Sequence, residues 1–378
     1  MKKIGLYIHI PFCEKKCDYC NFVSFCKPIE SKLQYIDCLI KEISMQSVKF
    51  EDYEVDSIFI GGGTPSCLPS GAINKIMNAV YRNFKVLTSA EITIECNPNS
   101  LSFQKFQEFK KARINRLSIG LQTYNNKLLK LIGRLHTKKQ FDDAIRHAKI
   151  MGFKNISADI ILGIPKQTLF DVKREIRHLL KLGLNHISAY GLIVEDGTIL
   201  SENLKNGKYK LPSERTQVKM YDYVLRTLKN HGINRYEVSN FAKPGYESRH
   251  NLKYWTNQEY LGLGLTSSSY ISGIRWKNTD DFNDYLLQVN NGKIEKYEKE
   301  ALSAEDLIEE RIMLSLRTSK GIDLEQFKKD FGFDLLQKKH SQIETLKNGK
   351  FVEISDGRLF CTDAGFKVLN QIILNLVD

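Results

Sequence analysis

The sequence of 378 residues has few prolines and no long apolar run. A hydrophobic fraction of 42% and a charged fraction of 26%, with only 8 prolines, exclude a disordered or collagen-like chain. No stretch approaches the roughly 18 consecutive apolar residues that a membrane-spanning helix needs. The apolar segment at residues 4–11 is too short for a secretory signal and precedes no small-residue cleavage site. We therefore expect a cytoplasmic protein.

The charged residues form no block of five or six like charges, although the net charge is +12. An excess of 56 lysines and arginines over 44 aspartates and glutamates favours anionic partners such as nucleic acid, membrane surfaces or polycarboxylate ligands. Because the basic residues are spread along the chain, they do not form the stripe that is typical of nucleic-acid binding. We expect no nucleic-acid partner.

The first half of the sequence alternates between strand and helix patterns. Short apolar segments predict strands at residues 4–10, 55–60, 91–96, 116–121, 156–162 and 186–192. Segments with helical spacing of apolar residues lie between them, at 31–46, 68–84, 103–112, 139–151 and 169–182. Such alternation is typical of parallel βαβ units and indicates a barrel or an open barrel. We place this domain at residues 1–200.

The pattern changes after residue 200. A long helix is predicted at 213–231, and an irregular stretch rich in Tyr, Asn, Gly and Ser follows at 234–280. Helices are then predicted at 304–317, 323–331, 335–348 and 363–376, with a hairpin at 351–361 that turns at Asp356-Gly357. We interpret residues 201–300 as a connecting region and residues 301–378 as a winged-helix-like module.

Three of the eight cysteines are crowded into one short segment, at Cys13, Cys17 and Cys20. Thiolates are the natural ligands of iron–sulfur clusters. This spacing lets one loop hold three corners of a four-iron cluster and leaves the fourth iron without a protein ligand. An iron with an open position can be chelated by an added molecule, which makes the cluster a reaction site rather than only an electron carrier.

A structural zinc site is the alternative interpretation of this segment. Zinc sites normally have four ligands, and His9 or Cys26 could supply the fourth. Zinc-binding sequences usually pair two nearby ligands with two distant ones. The remote cysteines Cys67, Cys96 and Cys361 form no such second pair, so the spacing favours the cluster.

The segment around these cysteines resembles a known family. It reads Tyr7-Ile8-His9-Ile10-Pro11-Phe12-Cys13 and continues with the cysteine spacing above. It is similar to the radical S-adenosylmethionine superfamily, and more narrowly to the branch that contains oxygen-independent coproporphyrinogen III oxidase. The resemblance implies an α/β fold with a TIM-like partial (β/α)6 barrel. It also implies a 4Fe–4S cluster whose open iron is chelated by the amino and carboxylate groups of S-adenosylmethionine.

The resemblance assigns the binding of S-adenosylmethionine to residues near the carboxyl ends of the predicted strands. They are Tyr7, Tyr19, Gly62, Gly63, Thr64, Glu95, Gln122, Arg134 and Asp159. Within this set the glycines permit close backbone approach of the amino group, Arg134 neutralises the carboxylate and Asp159 holds the ribose. A phosphate-binding loop is rejected, because no Lys-Ser or Lys-Thr pair follows the glycines.

A second motif lies in the irregular segment, between residues 236 and 255. Its core is His250-Asn251-Leu252-Lys253-Tyr254-Trp255. A histidine flanked by aromatic residues can ligate heme iron while the rings pack on the macrocycle. The motif resembles the signature of the heme chaperones of this family. The resemblance implies a protein that binds heme as cargo through His250 and delivers it to the apo-forms of respiratory heme proteins.

The same resemblance is compatible with a homodimer and with peripheral attachment at the inner face of the membrane. Two other functions stay open. The oxidases carry a further cysteine where this chain has Phe22, and an extension before the position of Tyr7, where this chain has six residues. We therefore assign no catalytic residue and expect no decarboxylation of coproporphyrinogen III, which is the first alternative. The second is another radical enzyme, acting on RNA.

The cysteine segment generates a direct prediction about metal content. Anaerobic reconstitution should give about four irons and four sulfides per chain, because three thiolates and one open iron complete a cubic cluster. Changing Cys13, Cys17 or Cys20 to Ala should abolish this cluster, whereas Cys361→Ala should not. Iron and sulfide analysis with absorption spectra checks the outcome. A preparation that holds only zinc and resists reconstitution would contradict the prediction.

Overall fold

The structure is a computed structural model that describes residues 1–377. In its first half, six parallel strands are separated by helices. The strands are β1 (Lys2–Ile10), β2 (Tyr53–Gly62), β3 (Lys85–Cys96), β4 (Arg116–Gln122), β5 (Asn155–Leu162) and β6 (His186–Gly191). The helices between them are α1 (Ile29–Ser47), α2 (Ala72–Asn83), α3 (Phe103–Lys111), α4 (Asn126–Leu131), α5 (Lys138–Ile150) and α6 (Leu169–Lys181). Each strand pairs in parallel with the next along the chain. The predicted α/β partial barrel is confirmed.

Each strand of the barrel buries both of its faces. On β1, Ile4, Leu6 and Ile8 point towards the helices and have no exposed surface. The intervening positions, such as Tyr7 and His9, point into the barrel. Burying an aliphatic side chain stabilises a fold by about 1.5–3 kcal/mol. The apolar outer faces therefore hold the helices, and the inner faces are left for polar residues.

The connecting region extends this sheet at both edges. Its elements are α7 (Ile199–Lys205), α8 (Glu214–Lys229), β7 (Asn234–Arg235), β8 (Asn240–Ala242), α9 (Arg249–Trp255), β9 (Tyr260–Leu263), β10 (Ser268–Ile271), β11 (Ile274–Lys277), α10 (Phe282–Asn290) and β12 (Tyr297–Ala301). The strand order is β12-β11-β10-β9-β1-β2-β3-β4-β5-β6-β8-β7. Because β7 and β12 are free edges of this order, the barrel does not close by strand pairing.

The C-terminal part has its own sheet and its own hydrophobic core. Its elements are α11 (Ala304–Ser315), β13 (Ile322–Asp323), α12 (Leu324–Phe331), α13 (Leu335–Lys338), α14 (His340–Asn348), β14 (Val352–Ser355), β15 (Arg358–Cys361) and α15 (Leu369–Val377). The hairpin turns at Asp356-Gly357, as predicted, and both residues have positive φ. The single helix predicted at 335–348 is wrong, because the backbone of Lys339 leaves the helical region and separates α13 from α14.

The longest helix, α1, is amphipathic. Tyr35, Ile36 and Leu39 are buried on one side, and charged residues such as Glu30 face solvent on the other. No helix within residues 1–377 combines the length and the apolarity that are needed to cross a membrane.

The buried carboxyl group of Glu42 joins α1 to α10 and to the segments that follow β9 and β11. Glu42 has no exposed surface and accepts hydrogen bonds from the Gly264 amide at 2.7 Å, the Tyr285 hydroxyl at 2.6 Å and the Asn278 amide at 2.8 Å. Its removal leaves these donors unpaired away from water.

We expect Glu42→Ala to lower the free energy of unfolding by about 3 kcal/mol, because each buried donor that loses its acceptor costs about 1–3 kcal/mol. Chemical denaturation followed by circular dichroism measures the change. Glu51→Ala, at an exposed position, is the matched control and should change the stability by less than about 0.5 kcal/mol. Equal stability of the two variants would contradict the role of Glu42.

Candidate functional site

A cavity of about 400 Å³ lies at the carboxyl ends of the parallel strands. We call it the rim cavity. Its wall brings together the three clustered cysteines and nearly all of the residues predicted for S-adenosylmethionine. These are Cys13, Cys17, Tyr19, Cys20, Gly62, Gly63, Thr64, Glu95, Gln122, Arg134 and Asp159. Tyr7 is not part of this wall and borders two neighbouring cavities instead.

The cysteine loop is fixed at both of its ends. The amide of Cys13 donates to the carbonyl of Phe25 at 3.1 Å, so the chain after the loop returns beside its start. The Cys13 sulfur lies 3.5 Å from the hydroxyl of Thr64, and the Arg134 guanidinium donates to the Cys17 sulfur at 3.6 Å. These contacts hold the sulfurs at the mouth of the rim cavity.

The arrangement of the thiols suits a cluster better than a single ion. In the part of the chain that the structure describes, no three Cys, His, Asp or Glu side chains are close enough to hold one metal ion. A four-iron cluster is larger, and each thiolate binds a different iron atom. Burial raises the pKa of the Cys13 and Cys20 thiols, so these groups would release protons when they bind iron.

The glycines after β2 make room for neighbouring groups. Gly62 has φ of 109°, and a Cβ atom there would lie 2.5 Å from the ring of His9. A Cβ atom on Gly63 would lie 2.6 Å from the carbonyl oxygen of Phe12, directly before the cysteine loop. Only glycine fits these positions, and the backbone beside the cysteine loop is left open to a ligand.

Two acids of the rim cavity differ in their environment. Burial, followed by repulsion from Asp159, raises the pKa of Glu95 to about 8, although hydrogen bonding from the Gly62 amide and the charge of Arg116 oppose the change. Asp159 accepts from the hydroxyl of Ser118 at 3.0 Å. A cationic ligand group beside Glu95 would favour the ionised carboxylate again.

Arg134 is held by groups at the ends of two strands, β3 and β4. It donates to the carbonyl of Gly120 at 2.8 Å and to the side-chain oxygen of Asn97. The Asn97 amide donates in turn to Thr64 at 3.2 Å. Sequence reasoning did not assign Asn97 to the site, although its position directly after β3 was a usable signal. Gln122 ends β4 with φ of 64°, a strained conformation of the kind that is concentrated at functional sites.

The structure places His250 inside the protein and not on the wall of the rim cavity. Its side chain has no exposed surface, Nδ1 lies 2.9 Å from the hydroxyl of Ser57, and Nε2 lies 2.9 Å from the hydroxyl of Tyr254. Burial, followed by the charges of Lys253 and Arg116, lowers the pKa of His250 to about 3, so the ring is neutral at pH 7. Ligation of heme iron by His250 stays a prediction, and it would require one of these two hydrogen bonds to break.

Two further cavities adjoin the rim cavity, and sequence reasoning missed both. The side cavity, of about 460 Å³, is lined by Tyr7, His9, Asn21, Phe22, Val23, Tyr254, Tyr260, Thr266 and Ser268. The inner cavity, of about 450 Å³, is lined by Tyr7, Phe59, Glu95, Arg116, Ser118, Asp159, Ser188, Tyr190, Glu237, Val238, Ser239, Asn240, Asn251, Tyr254 and Trp255. Asn251, Tyr254 and Trp255 of the second motif thus face a cavity, whereas its histidine does not.

Comparison with known proteins relates both parts of the chain to described families. Residues 7–179 match the radical SAM superfamily, and residues 302–368 match the HemN C-terminal domain. Among curated relatives, the heme chaperone HemW of Lactococcus lactis is 38% identical over 374 residues, which cover 98% of this chain and 96% of the relative. The heme chaperone HemW of Bacillus subtilis is 34% identical over 367 residues, which cover 97% of both chains.

A solved structure supports the fold assignment. The Escherichia coli coproporphyrinogen III oxidase (HemN), described as a radical SAM enzyme, superposes with a TM-score of 0.87. The match covers 99% of this chain and 90% of the oxidase, at 22% sequence identity. At this identity the likeness shows the fold alone.

The contact between Gly63 and the cysteine loop generates a prediction. We expect Gly63→Ala to reduce the iron content after anaerobic reconstitution by about twofold or more, because a Cβ atom against the Phe12 backbone displaces the base of the loop in a closely packed region. Gly191→Ala is the matched control, since Gly191 lines the same cavity and no atom lies within 4 Å of an added Cβ there. Full iron content in Gly63→Ala would show that the loop does not depend on this contact.

Proposed function

This chain belongs to the heme chaperone HemW family of the radical SAM superfamily, and we propose on that basis that it binds heme and delivers it to heme proteins of respiration. Membership of the superfamily implies a 4Fe–4S cluster and S-adenosylmethionine. The predicted resemblance is confirmed by relatives that match over nearly the whole chain.

Cys13, Cys17 and Cys20 would hold the cluster, and the rim cavity would hold S-adenosylmethionine at the open iron. When it is bound, such a cluster supplies an electron and a coordination site for the ligand. The protein groups around it have separate tasks. The Gly62 and Gly63 backbone leaves space beside the loop, and Arg134 provides positive charge next to Cys17.

The observation that carries the heme proposal is an exposed apolar edge on the rim cavity. Phe22 is 69% exposed and Ile193 is 71% exposed, and both border this cavity. Large exposed apolar side chains around a cavity mark a site for a hydrophobic ligand or partner. Lys15 and Lys16 border the same cavity and supply positive charge. An apolar edge beside cationic groups suits an amphiphilic ring with carboxylates, which is the chemistry of heme.

Oxidative decarboxylation of coproporphyrinogen III is the alternative. Phe22 stands where the oxidases carry a further cysteine, which argues against this activity. Phe22 also contributes an apolar surface to the cavity edge. The position therefore lacks the cysteine of the oxidases and instead carries a side chain that suits heme binding.

Heme binding is tested with Phe22→Asp. We expect this change to weaken heme binding about tenfold or more, because a buried phenyl contact contributes about 1.5–3 kcal/mol and the new charge opposes burial. Phe170→Asp is the matched control, since Phe170 is 68% exposed on α6 and borders none of the three cavities. Titration of heme into reconstituted protein, followed by absorption spectroscopy, gives the affinities.

The wild-type protein should hold heme and should not convert coproporphyrinogen III when S-adenosylmethionine and an electron donor are added. Steady formation of protoporphyrinogen would instead support the oxidase alternative. Equal heme affinities of Phe22→Asp and Phe170→Asp would place the heme away from this edge.

A further inference from the structure

Arg116 is a cation inside the barrel that forms no direct ion pair with another side chain of residues 1–377. It begins β4, is only 2% exposed and ranks first by volume among the fully buried side chains. Its Nε atom is buried without a hydrogen-bond partner, and the guanidinium forms no ion pair within residues 1–377. Burying an unpaired charge is costly, so proteins keep such a group where a ligand or another charge can meet it.

The side chain of Arg116 forms part of the wall of the inner cavity, which is wide enough for a ligand group at about 450 Å³. Three acids share this cavity, and each already has a protein donor. Glu95 accepts from the Gly62 amide at 3.2 Å, Asp159 from Ser118 at 3.0 Å, and Glu237 from the Ser239 amide at 3.2 Å. Arg116 differs from these acids, because its guanidinium forms no direct ion pair and its Nε atom has no hydrogen-bond partner, although its charge favours the ionised form of Glu95.

The remaining wall of the inner cavity combines five aromatic residues with five serines and asparagines and one valine. Tyr7, Phe59, Tyr190, Tyr254 and Trp255 all border it. A ligand that contacts both the aromatic residues and Arg116 would have an apolar, planar body and an anionic end. Guanidinium groups bind carboxylates through two parallel hydrogen bonds, which gives both orientation and affinity.

We propose that the inner cavity is a carboxylate-binding site in which Arg116 anchors a propionate group of heme. This inference rests on the proposed heme-binding function and adds an anchoring contact for the cargo. Phe22 of the apolar edge and Tyr254 of the inner cavity both line the side cavity, so the two parts of the proposed site border a common space. The macrocycle lies against Tyr254 and Trp255, the aromatic pair of the second motif, while one propionate reaches Arg116. The aromatic residues of the motif would thus contact the macrocycle, and His250 bonds the Tyr254 hydroxyl. Ligation of heme iron by His250 stays a separate prediction.

The experiment compares heme with its dimethyl ester, in which both carboxylates are blocked. The reconstituted wild-type protein should bind heme about tenfold or more tightly than the ester, because only the free carboxylate can form charge-assisted hydrogen bonds with Arg116. Arg116→Gln should lose this preference by binding heme more weakly and the ester equally well. Arg146→Gln, at a side chain that is 65% exposed, is the matched control and should bind both as the wild type does.

Two measurements guard against a variant that is merely misfolded. Iron content and the far-ultraviolet circular dichroism spectrum should be the same in Arg116→Gln and in the wild type. Arg116→Lys keeps the charge without the paired donors and should retain part of the preference for heme. The comparison of the two ligands on the wild-type protein needs no variant at all.

A free small carboxylate is the other source of the same chemistry, and succinate is the probe. If succinate raises the melting temperature of the wild type but not of Arg116→Gln, while heme affinity is equal in both, the cavity takes a separate carboxylate and the propionate assignment is overturned. Equal binding of heme and ester by the wild type also overturns it, while the heme-chaperone proposal stands. A wild-type protein that binds neither heme nor ester ends both proposals.

Discussion

The polar inner face of the parallel barrel is the constraint on which the rest of the structure depends. Polar groups that leave water must find partners inside the protein. Ser157 donates to Asp159 at 3.2 Å, so its oxygen is left to accept from Nδ1 of His186 at 2.7 Å. Nε2 of His186 then accepts from the hydroxyl of Tyr236 at 2.9 Å. Burial lowers the pKa of His186 well below its usual value, which keeps the ring neutral in this role.

This chain of hydrogen bonds explains why the segment at 236–255 enters the barrel. The Tyr236 hydroxyl accepts from the amide of Ser248, and Glu91 of β3 accepts from the amides of Arg249 and His250 at the start of α9. The carboxylate of Glu91 thus accepts hydrogen bonds from first-turn amides of α9, which have no partner within the helix. Polar groups on the inner strand faces and at the start of α9 are therefore hydrogen-bond partners of each other. The cavities lie in the space that remains between them.

The sequence predicted the parts of the molecule that follow from periodicity and from position after a strand. Apolar alternation located all six parallel strands, and residues such as Glu95 and Asp159 near the strand ends meet at one rim because parallel strands end together. The sequence could not show whether His250 is buried, because the irregular segment around it has no periodic pattern of apolar residues. Arg116 was missed for a related reason. A charged residue that begins a strand is usually taken for its exposed end, and no sequence pattern shows that Arg116 is only 2% exposed.

Phe22 links the two halves of the proposed function through the chain itself. It lies two residues after Cys20, in a loop whose far end is tied to Cys13 by the hydrogen bond that the Cys13 amide donates to the Phe25 carbonyl. Three cysteines bound to one rigid cluster would fix most of the degrees of freedom of this loop, whereas three free thiols do not. The position of the apolar edge is therefore set by the same contacts that hold the sulfurs. Loss of the cluster should therefore also loosen the apolar surface that we propose contacts heme.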